Sequence, residues 1–233
     1  MATNVTLWAA STTEAVASGR YILYFGGREC GEERWQIIRS GGMFVVTGEQ
    51  VTVAPHPFPS RQEYRAMFSA AGRPLGLEIL WTVGDRLLRS THEAGDGRWR
   101  VRVEYAEQVK EQEGDFPDFC EVDYATPLFK TFVFARRDFA VGGEHEFPVL
   151  MIGPPWMAVQ PDRMLFRCVE AGAIETAFGV VRAKRYVVSH PPQPEAQGYT
   201  FWADQDGVVL ESYDGLDPSR PWMRLVEYRR GNT

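Results

Sequence analysis

The sequence predicts a mainly β fold: one large, strongly curved antiparallel sheet, or open barrel, with one main helix packed in its concave face. Three observations carry this prediction. Short stretches of alternating apolar and polar residues recur along most of the chain, turns that contain Gly separate them, and a single stretch with helical spacing lies near the middle. Short strands joined by tight turns are typical of antiparallel hairpins rather than of βαβ units.

The composition sets the size of the fold and excludes one class of partner. The 233 residues are 44% hydrophobic and 13% aromatic, which is enough for the core of one large β domain. Aromatic residues in such numbers favour strands or a large apolar cavity. The net charge is −6 and no basic block occurs, so we do not expect a nucleic-acid partner.

The segment RWRVRVEY (Arg98–Tyr105) shows the cleanest strand pattern. Apolar residues occupy every second position and charged residues lie between them, as in a strand with one buried and one solvated face. Further strands are predicted at Tyr21–Phe25, Arg34–Ile38, Met43–Thr47, Gln50–Val53, Glu63–Ser69, Leu75–Val83, Arg86–His92, Phe147–Ile152, Arg163–Glu170, Ala173–Ala177, Lys184–Ser189, Tyr199–Ala203, Val208–Tyr213 and Met223–Arg229.

The segment YTFWADQDGVVLES (Tyr199–Ser212) predicts a hairpin that turns at Gly207, since Gly adopts positive φ readily. It resembles an earlier segment that turns at Gly72, and both follow a loop with a His-Pro pair, at His56 and His190. An internal duplication would produce this likeness. So would any two hairpins that follow Pro-rich loops, and both explanations stay open.

One helix is predicted at about residues 127–140. Leu128, Phe129 and Phe132 recur at helical spacing, Thr126 is a suitable N-cap, and Pro127 is tolerated in the first turn. A Gly-Gly pair follows as a stop signal. The Phe-rich face needs burial, and the concave side of the sheet is the obvious place for it.

The domain prediction is a partly flexible N-terminal segment at 1–19, followed by a single half-barrel domain at 20–230. Within that domain the acidic stretch 106–123 is predicted to be a solvated linker. Its acidic residues lack the regular spacing and the fixed Gly of a calcium loop, so we predict no metal site there.

The chain shows no signal for export or membrane insertion. Its start has no basic segment followed by an apolar run, and no stretch approaches the ~20 apolar residues of a transmembrane helix. Three cysteines (Cys30, Cys120 and Cys168) lie far apart in the sequence, which favours free buried thiols in a reducing compartment. We therefore expect a cytoplasmic protein without a transmembrane segment.

The order of the segments RYILYFGGRECGEERWQI, GRPLGLEI, the Phe-rich helix and YTFWADQDGVVLES resembles that of the LolA/LolB-like half-barrel proteins, nearest to their uncharacterised bacterial members. The resemblance implies a curved sheet that wraps a helix over an apolar cavity. In the characterised relatives that cavity holds the acyl chains of lipoproteins. This sequence lacks their acylatable N-terminal Cys, which argues against a role in lipoprotein transport.

These features predict non-catalytic binding of an apolar small molecule, such as a lipid, fatty acid or isoprenoid, without a cofactor. Aromatic residues that could line the cavity are Trp35, Trp81, Trp99, Phe132, Trp156 and Trp202. Each of them is equally suited to an ordinary core. Arg182 and Lys184 share a predicted strand face with Tyr186, where they could meet an anionic head group or simply be solvated.

Two other function classes stay open. A small-molecule enzyme of the isomerase or cyclase type could use the same scaffold, with His56 and His190 as acid, base or metal ligands if their loops meet. No catalytic residue or metal ligand is assigned, because no motif of either kind occurs in the sequence. An interaction module would use the open sheet edges, which also allow a homodimer.

Overall fold

The computed structural model describes residues 13–137, 139–154, 157–192, 198–217 and 219–231. The strands before the helix are β1 (Glu14–Phe25), β2 (Arg28–Ser40), β3 (Met43–Thr52), β4 (Ser60–Phe68), β5 (Pro74–Val83), β6 (Arg86–Gly95), β7 (Arg98–Tyr105), β8 (Gln108–Asp115) and β9 (Glu121–Tyr124). The helix α1 (Pro127–Arg136) follows. The later strands are β10 (Glu144–Gly153), β11 (Ala158–Thr176), β12 (Gly179–Ser189), β13 (Tyr199–Asp204), β14 (Val209–Asp214) and β15 (Pro221–Arg230).

These 15 strands form one sheet in which most strands lie beside their neighbours in sequence. The order runs from β8 to β1, continues from β1 to β15, and then returns from β15 to β9. The β9–β10 pair is parallel, and α1 makes the crossover that a parallel pair requires. Neighbours such as β1 and β15 are antiparallel. The predicted fold class, a large curved antiparallel sheet with one main helix, is confirmed.

The acidic stretch 106–123, predicted as a linker, contains β8 and β9 instead. β8 is exposed along its whole length, so no apolar alternation marks it in the sequence. Its carboxylates pair with arginines of β7: Glu111 with Arg102 at 2.8 Å, and Glu113 with Arg98 at 2.8 Å. Cross-strand pairs of opposite charge stabilise this part of the sheet where apolar packing is absent.

The start of β1 and the extent of β11 also differ from the predicted strand boundaries. Residues 1–12 lie outside the described part of the chain, but β1 begins at Glu14, inside the predicted N-terminal segment 1–19. β11 runs straight through Gly172, where a turn was predicted. Gly172 pairs with Ala183 of β12, so the ladder holds the strand across the glycine.

The start of α1 follows the predicted signals. The Thr126 side chain accepts a hydrogen bond from the Leu128 N–H at 3.3 Å, and Pro127 occupies the first turn. Every residue from Pro127 to Phe134 is buried.

The end of α1 comes earlier than the predicted residue 140. Arg137 has an extended backbone, so the helix ends at Arg136. Both arginines pair with the buried carboxylate of Glu121 on β9. We attribute the early end to this ion-pair cluster, since it fixes the last turn before the Gly-Gly stop is reached.

Aromatic stacking places α1 between the two halves of the sheet. Phe132 stacks on Phe68 of β4 with ring centroids 3.8 Å apart. Phe134 stacks on Tyr186 of β12 with centroids 4.1 Å apart. The two stacks belong to two separate hydrophobic clusters, so α1 contributes to both parts of the core.

Two hairpins turn against α1, each at a glycine with positive φ. Gly72 joins β4 to β5, and a side chain there would lie 3.4 Å from the Phe132 ring. Gly207 joins β13 to β14, and its Cβ would lie 2.5 Å from the Ala135 nitrogen and 2.6 Å from the Thr131 carbonyl oxygen. The later hairpin therefore approaches the helix backbone so closely that only glycine fits.

Side chains, rather than a strand ladder, join β8 and β6 to the segment that enters β11. The Gln112 amide donates to the Val159 carbonyl at 3.0 Å. The Ser90 hydroxyl donates to the Met157 carbonyl at 3.2 Å. These bonds link one edge of the sheet, β8, and the nearby β6 to β11, which lies two strands from the other edge, β9.

Among the residues that the structure describes, no helix has the length and hydropathy needed to cross a bilayer.

We expect Gly207→Ala to destabilise the protein more than Gly142→Ala. Both glycines have positive φ, +81° and +83°, so both alanines carry a conformational penalty of about 1–2 kcal/mol. Only at Gly207 does the new methyl group also meet the helix backbone, because nothing lies within 4 Å of Gly142. Urea unfolding should show a loss of roughly 3–5 kcal/mol for Gly207→Ala. Equal losses in the two variants would contradict the close contact between the hairpin and α1.

Candidate functional site

Two pockets lie side by side at the C-terminal end of α1. We call them the apolar pocket, with a volume of about 700 Å³, and the basic pocket, with a volume of about 710 Å³. Ala135, Arg136 and Gln205 line both, so the pockets meet where the helix ends beside the β13–β14 turn. Each volume is typical of a small-molecule site.

The apolar pocket is built by side chains from β1, β2, β3, α1 and β15. Its main apolar lining residues are Ala17, Ile37, Phe44, Phe132 and Tyr228. Arg39 lies over the Phe44 ring, with 5.0 Å between the guanidinium carbon and the ring centroid. The pocket therefore has an apolar floor with cations near its rim, which suits the chain of an amphiphilic ligand.

The basic pocket takes its cations from two elements. The end of α1 supplies Arg136 and Arg137, and β12 supplies Arg182 and Lys184. The Lys184 ammonium donates to the Phe139 carbonyl at 2.8 Å, which fixes its position at the pocket wall. Arg182 is exposed.

The described residues that line the basic pocket include four cations and one carboxylate. The cations are Arg136, Arg137, Arg182 and Lys184, and the carboxylate is Asp204. Arg136 and Arg137 share the carboxylate of Glu121. The described lining of this pocket is therefore rich in cations.

Among the described residues, Asp204 is the carboxylate that lines the basic pocket. Its oxygens already accept hydrogen bonds within the β13–β14 turn. Its Oδ1 accepts hydrogen bonds from the N–H groups of Asp206 and Val208, both at 2.9 Å. Its Oδ2 accepts from Arg230 at 3.1 Å. Burial raises the pKa of Asp204, while these hydrogen bonds act in the opposite direction. These hydrogen bonds hold the β13–β14 turn and tie it to Arg230 of β15.

A buried polar network lies at the N-terminal end of α1. Glu33 of β2 is fully buried, and its Oε1 accepts hydrogen bonds from the hydroxyls of Tyr64 and Thr126, both at 2.5 Å. The Gln50 amide donates to Oε2 at 3.3 Å. Burial raises the pKa of Glu33 from 4.5 to about 7, although these three hydrogen bonds act in the opposite direction.

Side chains of neighbouring strands extend this network by successive hydrogen bonds. The Tyr124 hydroxyl donates to Gln62 at 2.6 Å, and Gln62 donates to Gln50 at 3.2 Å. Gln50 also donates to the Ala125 carbonyl, just before the N-cap. Each polar group therefore has a partner, as a buried network requires.

His92 belongs to a separate series of buried hydrogen bonds and is not arranged as a base. The Trp99 indole donates to its Nδ1 at 3.2 Å, and its Nε2 lies 2.6 Å from the Ser90 hydroxyl. Since Ser90 donates onward to the Met157 carbonyl, we assign the ring proton to Nε2. Burial lowers the pKa of His92 to about 3, so the ring is neutral.

The predicted aromatic ligand residues are dispersed. Phe132 lines the apolar pocket. Trp35 and Trp99 are buried in the core, and Trp99 is committed to His92. Trp81 and Trp202 are partly buried and do not line either pocket. Trp156 lies outside the described residues.

The residues of the predicted cationic face lie together in the structure. Arg182, Lys184 and Tyr186 of β12 line the basic pocket together. The two His-Pro loops make different contacts: the His56 ring packs on Phe25, and His190 pairs with Asp162.

The chain offers no obvious metal centre in its described ranges, where no group of three His, Cys, Asp or Glu side chains could hold an ion. Cys30, Cys120 and Cys168 are free and buried, as predicted.

Sequence reasoning missed Glu33 and the arginines of α1. Glu33 shares an inward strand face with Trp35 and Ile37, and a carboxylate at an apolar position was a usable signal. Arg136 and Arg137 lie at the end of the helix, and only the three-dimensional fold brings them beside Arg182.

Glu33→Gln should remove a pH dependence of stability. Because the pKa of Glu33 is raised to about 7 in the folded protein, the folded state holds its proton where the unfolded chain loses it. The stabilisation is fully present below about pH 4 and is lost as pH rises through 7, by up to roughly 3 kcal/mol. Urea unfolding between pH 4 and 8 should show this loss in the wild type and a flatter profile in Glu33→Gln.

The control variant for Glu33→Gln is Glu63→Gln, at an exposed position on β4 next to Tyr64. Its profile should follow that of the wild type. A Glu33→Gln profile as steep as that of the wild type would show that another group titrates.

Comparison with known proteins identifies a fold but no family. The sequence matches no protein-family model, and no curated protein is significantly similar to it. Its structure is similar to that of a DUF1089 family protein from Pseudomonas aeruginosa, with a TM-score of 0.50, 16% identity, and coverage of 90% of this chain and 94% of that one.

A second similar structure is the β-barrel-like protein of the domain of unknown function DUF1849 from Brucella abortus. The TM-score is 0.58 at 11% identity, over 96% of this chain and 100% of that one. At these identities the likeness concerns the fold alone. The chain thus has a curved, β-barrel-like sheet of a kind found in proteins of unknown function, and its resemblance to LolA and LolB stays a prediction.

Proposed function

We propose that the protein binds an amphiphilic anion without chemical change, such as a fatty acid or an acidic isoprenoid. The apolar chain would lie in the apolar pocket, and the acidic group would lie in the basic pocket. The observation that carries the proposal is the junction of the two pockets at Ala135, Arg136 and Gln205. An apolar pocket that adjoins a cationic one matches a ligand with one apolar and one anionic end.

The charge distribution supports the anionic end of the ligand. Arg182 and Lys184 come from one strand and Arg136 from the helix, so their donors converge on the basic pocket from two sides. Hydrogen bonds between charged partners contribute about 1.5–3 kcal/mol each, more than neutral ones do.

The apolar pocket suits the apolar end of the ligand. Burying about ten methylene groups would contribute roughly 8 kcal/mol before the cost of ordering the ligand. The resemblance to LolA/LolB-like proteins, whose cavities hold acyl chains, points to the same ligand class.

The proposal predicts that the charge of the ligand matters in the basic pocket. Replacing Arg182 and Lys184 together by Gln should weaken binding of dodecanoate at least about tenfold, because charge-assisted bonds are lost. Binding of 1-dodecanol, which has the same chain without the charge, should be unchanged. Isothermal titration calorimetry measures both affinities.

A matched control for the double variant is Arg100→Gln with Arg102→Gln. These arginines lie on the exposed face of β7 and pair with Glu113 and Glu111. The control therefore changes the net charge of the protein by the same amount as the double variant, but at a position remote from the pocket. The control should bind dodecanoate like the wild type. An equal loss in both double variants would mean that the overall charge of the protein, rather than the pocket, attracts the anion.

Ala135→Leu should block the junction between the two pockets. Ala135 is exposed on α1 and lines both pockets, and Leu has a helix propensity close to that of Ala. We expect a loss of affinity for dodecanoate and dodecanol alike of at least about tenfold, with an unchanged unfolding midpoint. Unaltered binding of both ligands would place them elsewhere on the protein.

A homodimer through sheet edges also remains a proposal. The edge strand concerned is β8, which is exposed along its whole length. It carries Glu111, Glu113 and Asp115, and such charges oppose edge-to-edge pairing of two copies.

A further inference from the structure

A third pocket, which we call the His190 pocket, lies at the opposite end of α1 and has a volume of about 430 Å³. It is lined by residues around the start of the helix, by the ends of β10 and β12, and by the starts of β11, β13 and β15. It shares no lining residue with the apolar or the basic pocket. A function here is therefore independent of amphiphile binding.

The His190 side chain is oriented by Asp162. Its Nδ1 lies 2.7 Å from Oδ2 of Asp162, and Oδ1 of the same carboxylate accepts from the Arg163 N–H at 2.8 Å. A carboxylate bonded to one ring nitrogen holds a proton there, so Nε2 is the nitrogen left to accept a proton. His190 is thus arranged as a general base.

A buried cation lies in the same pocket. The Lys130 side chain is only 7% exposed and pairs with Asp123. An ammonium group has three N–H donors, so one carboxylate leaves others for a ligand oxygen. A negative charge that develops on that oxygen would be stabilised by the ammonium, because the Lys130 side chain is itself buried.

An aromatic wall completes the pocket. The rings of Tyr199 and Trp222 lie 5.4 Å apart, and Phe201 lines the pocket beside them. Such a wall suits a flat, aromatic group in the ligand.

The described lining residues offer no free nucleophile. Thr126 is the lining residue with an aliphatic hydroxyl, and that hydroxyl donates to Glu33 at 2.5 Å. No cysteine lines the pocket in the described ranges, and the Lys130 nitrogen is paired with Asp123. A base and a cation without a nucleophile favour proton transfer over covalent catalysis.

We propose that the His190 pocket catalyses keto–enol isomerisation of a neutral ketone that carries an aryl group on the carbon beside its carbonyl, since the described lining has two carboxylates and a single cation. Nε2 of His190 takes a proton from the carbon beside the carbonyl, and the C–H electron pair becomes the C=C bond of the enolate. The carbonyl oxygen takes the negative charge beside Lys130. The imidazolium then returns the proton to this oxygen, which gives the enol. Atoms and electrons balance without an oxidant, a reductant or water.

The test uses the full chain and phenylacetone in D₂O. Proton NMR follows the loss of the benzylic signal as deuterium replaces hydrogen, which reports proton removal directly. We expect the wild type to accelerate exchange over buffer at the same pH. Exchange at the buffer rate would overturn the proposal.

His190→Asn should lower the enzymatic exchange rate at least about a hundredfold, since it removes the general base. The matched control is His145→Asn, an exposed histidine on β10 outside the pocket, which should leave the rate unchanged. Circular dichroism checks that both variants are folded. A folded His190→Asn variant that keeps the wild-type rate would overturn the assignment.

Asp162 is a positioning residue and needs a different readout. Asp162→Asn should lower kcat while KM stays unchanged, because substrate contacts remain and only the ring orientation is lost. 1-Phenylpropan-2-ol, which has a hydroxyl group in place of the ketone, should inhibit wild-type exchange competitively, with an inhibition constant equal to the Kd that calorimetry measures for it. Exchange at the full rate while this alcohol is bound in the pocket would show that exchange takes place elsewhere.

Discussion

The stacking of Phe132 on Phe68 and of Phe134 on Tyr186 fixes the position of α1 inside the sheet. Each stack joins the helix to a different half of the sheet, so neither half can shift without exposing aromatic surface to water. The pockets described above lie near the two ends of the helix. The apolar and basic pockets at one end and the His190 pocket at the other are consequences of this placement.

The N-terminal end of α1 is held by polar contacts as well as by packing. Thr126 serves two purposes, since its side chain caps the helix and its hydroxyl donates to Glu33. A buried carboxyl group is costly unless its hydrogen bonds are made, so the network around Glu33 tolerates only the placement of the helix that completes it. We infer that the polar network sets the position of α1 along its axis, whereas the aromatic stacks set its distance from the sheet.

Much of this fold could be predicted from local sequence patterns. The alternation in Arg98–Tyr105, the N-cap at Thr126 and the turn at Gly207 each reflect a short-range physical preference that tertiary packing did not override. β8 was missed because it is stabilised by ion pairs with β7 rather than by a buried face. Only contacts across strands define such a strand, and a single sequence does not display them.

The site was harder to predict than the fold. Alternation did identify Arg182 and Lys184 as one strand face, and both line the basic pocket. It could not show that the end of α1 adds Arg136, because that contact depends on where the helix lies. Phe132 lines a pocket, whereas Trp35 is buried in the core. Residue type alone could not distinguish an aromatic side chain that lines a pocket from one that packs in the core.

The apolar pocket adjoins the basic pocket at the end of α1, and we propose that a ligand with an apolar chain and an acidic group spans both. A crystal structure of the protein with 12-bromododecanoate tests it most directly, since anomalous scattering locates the bromine independently of the refined atoms. We predict bromine in the apolar pocket near Phe132 and the carboxylate beside Arg182 or Lys184. Bromine on the outer face of the sheet, or a carboxylate remote from both cations, would contradict it.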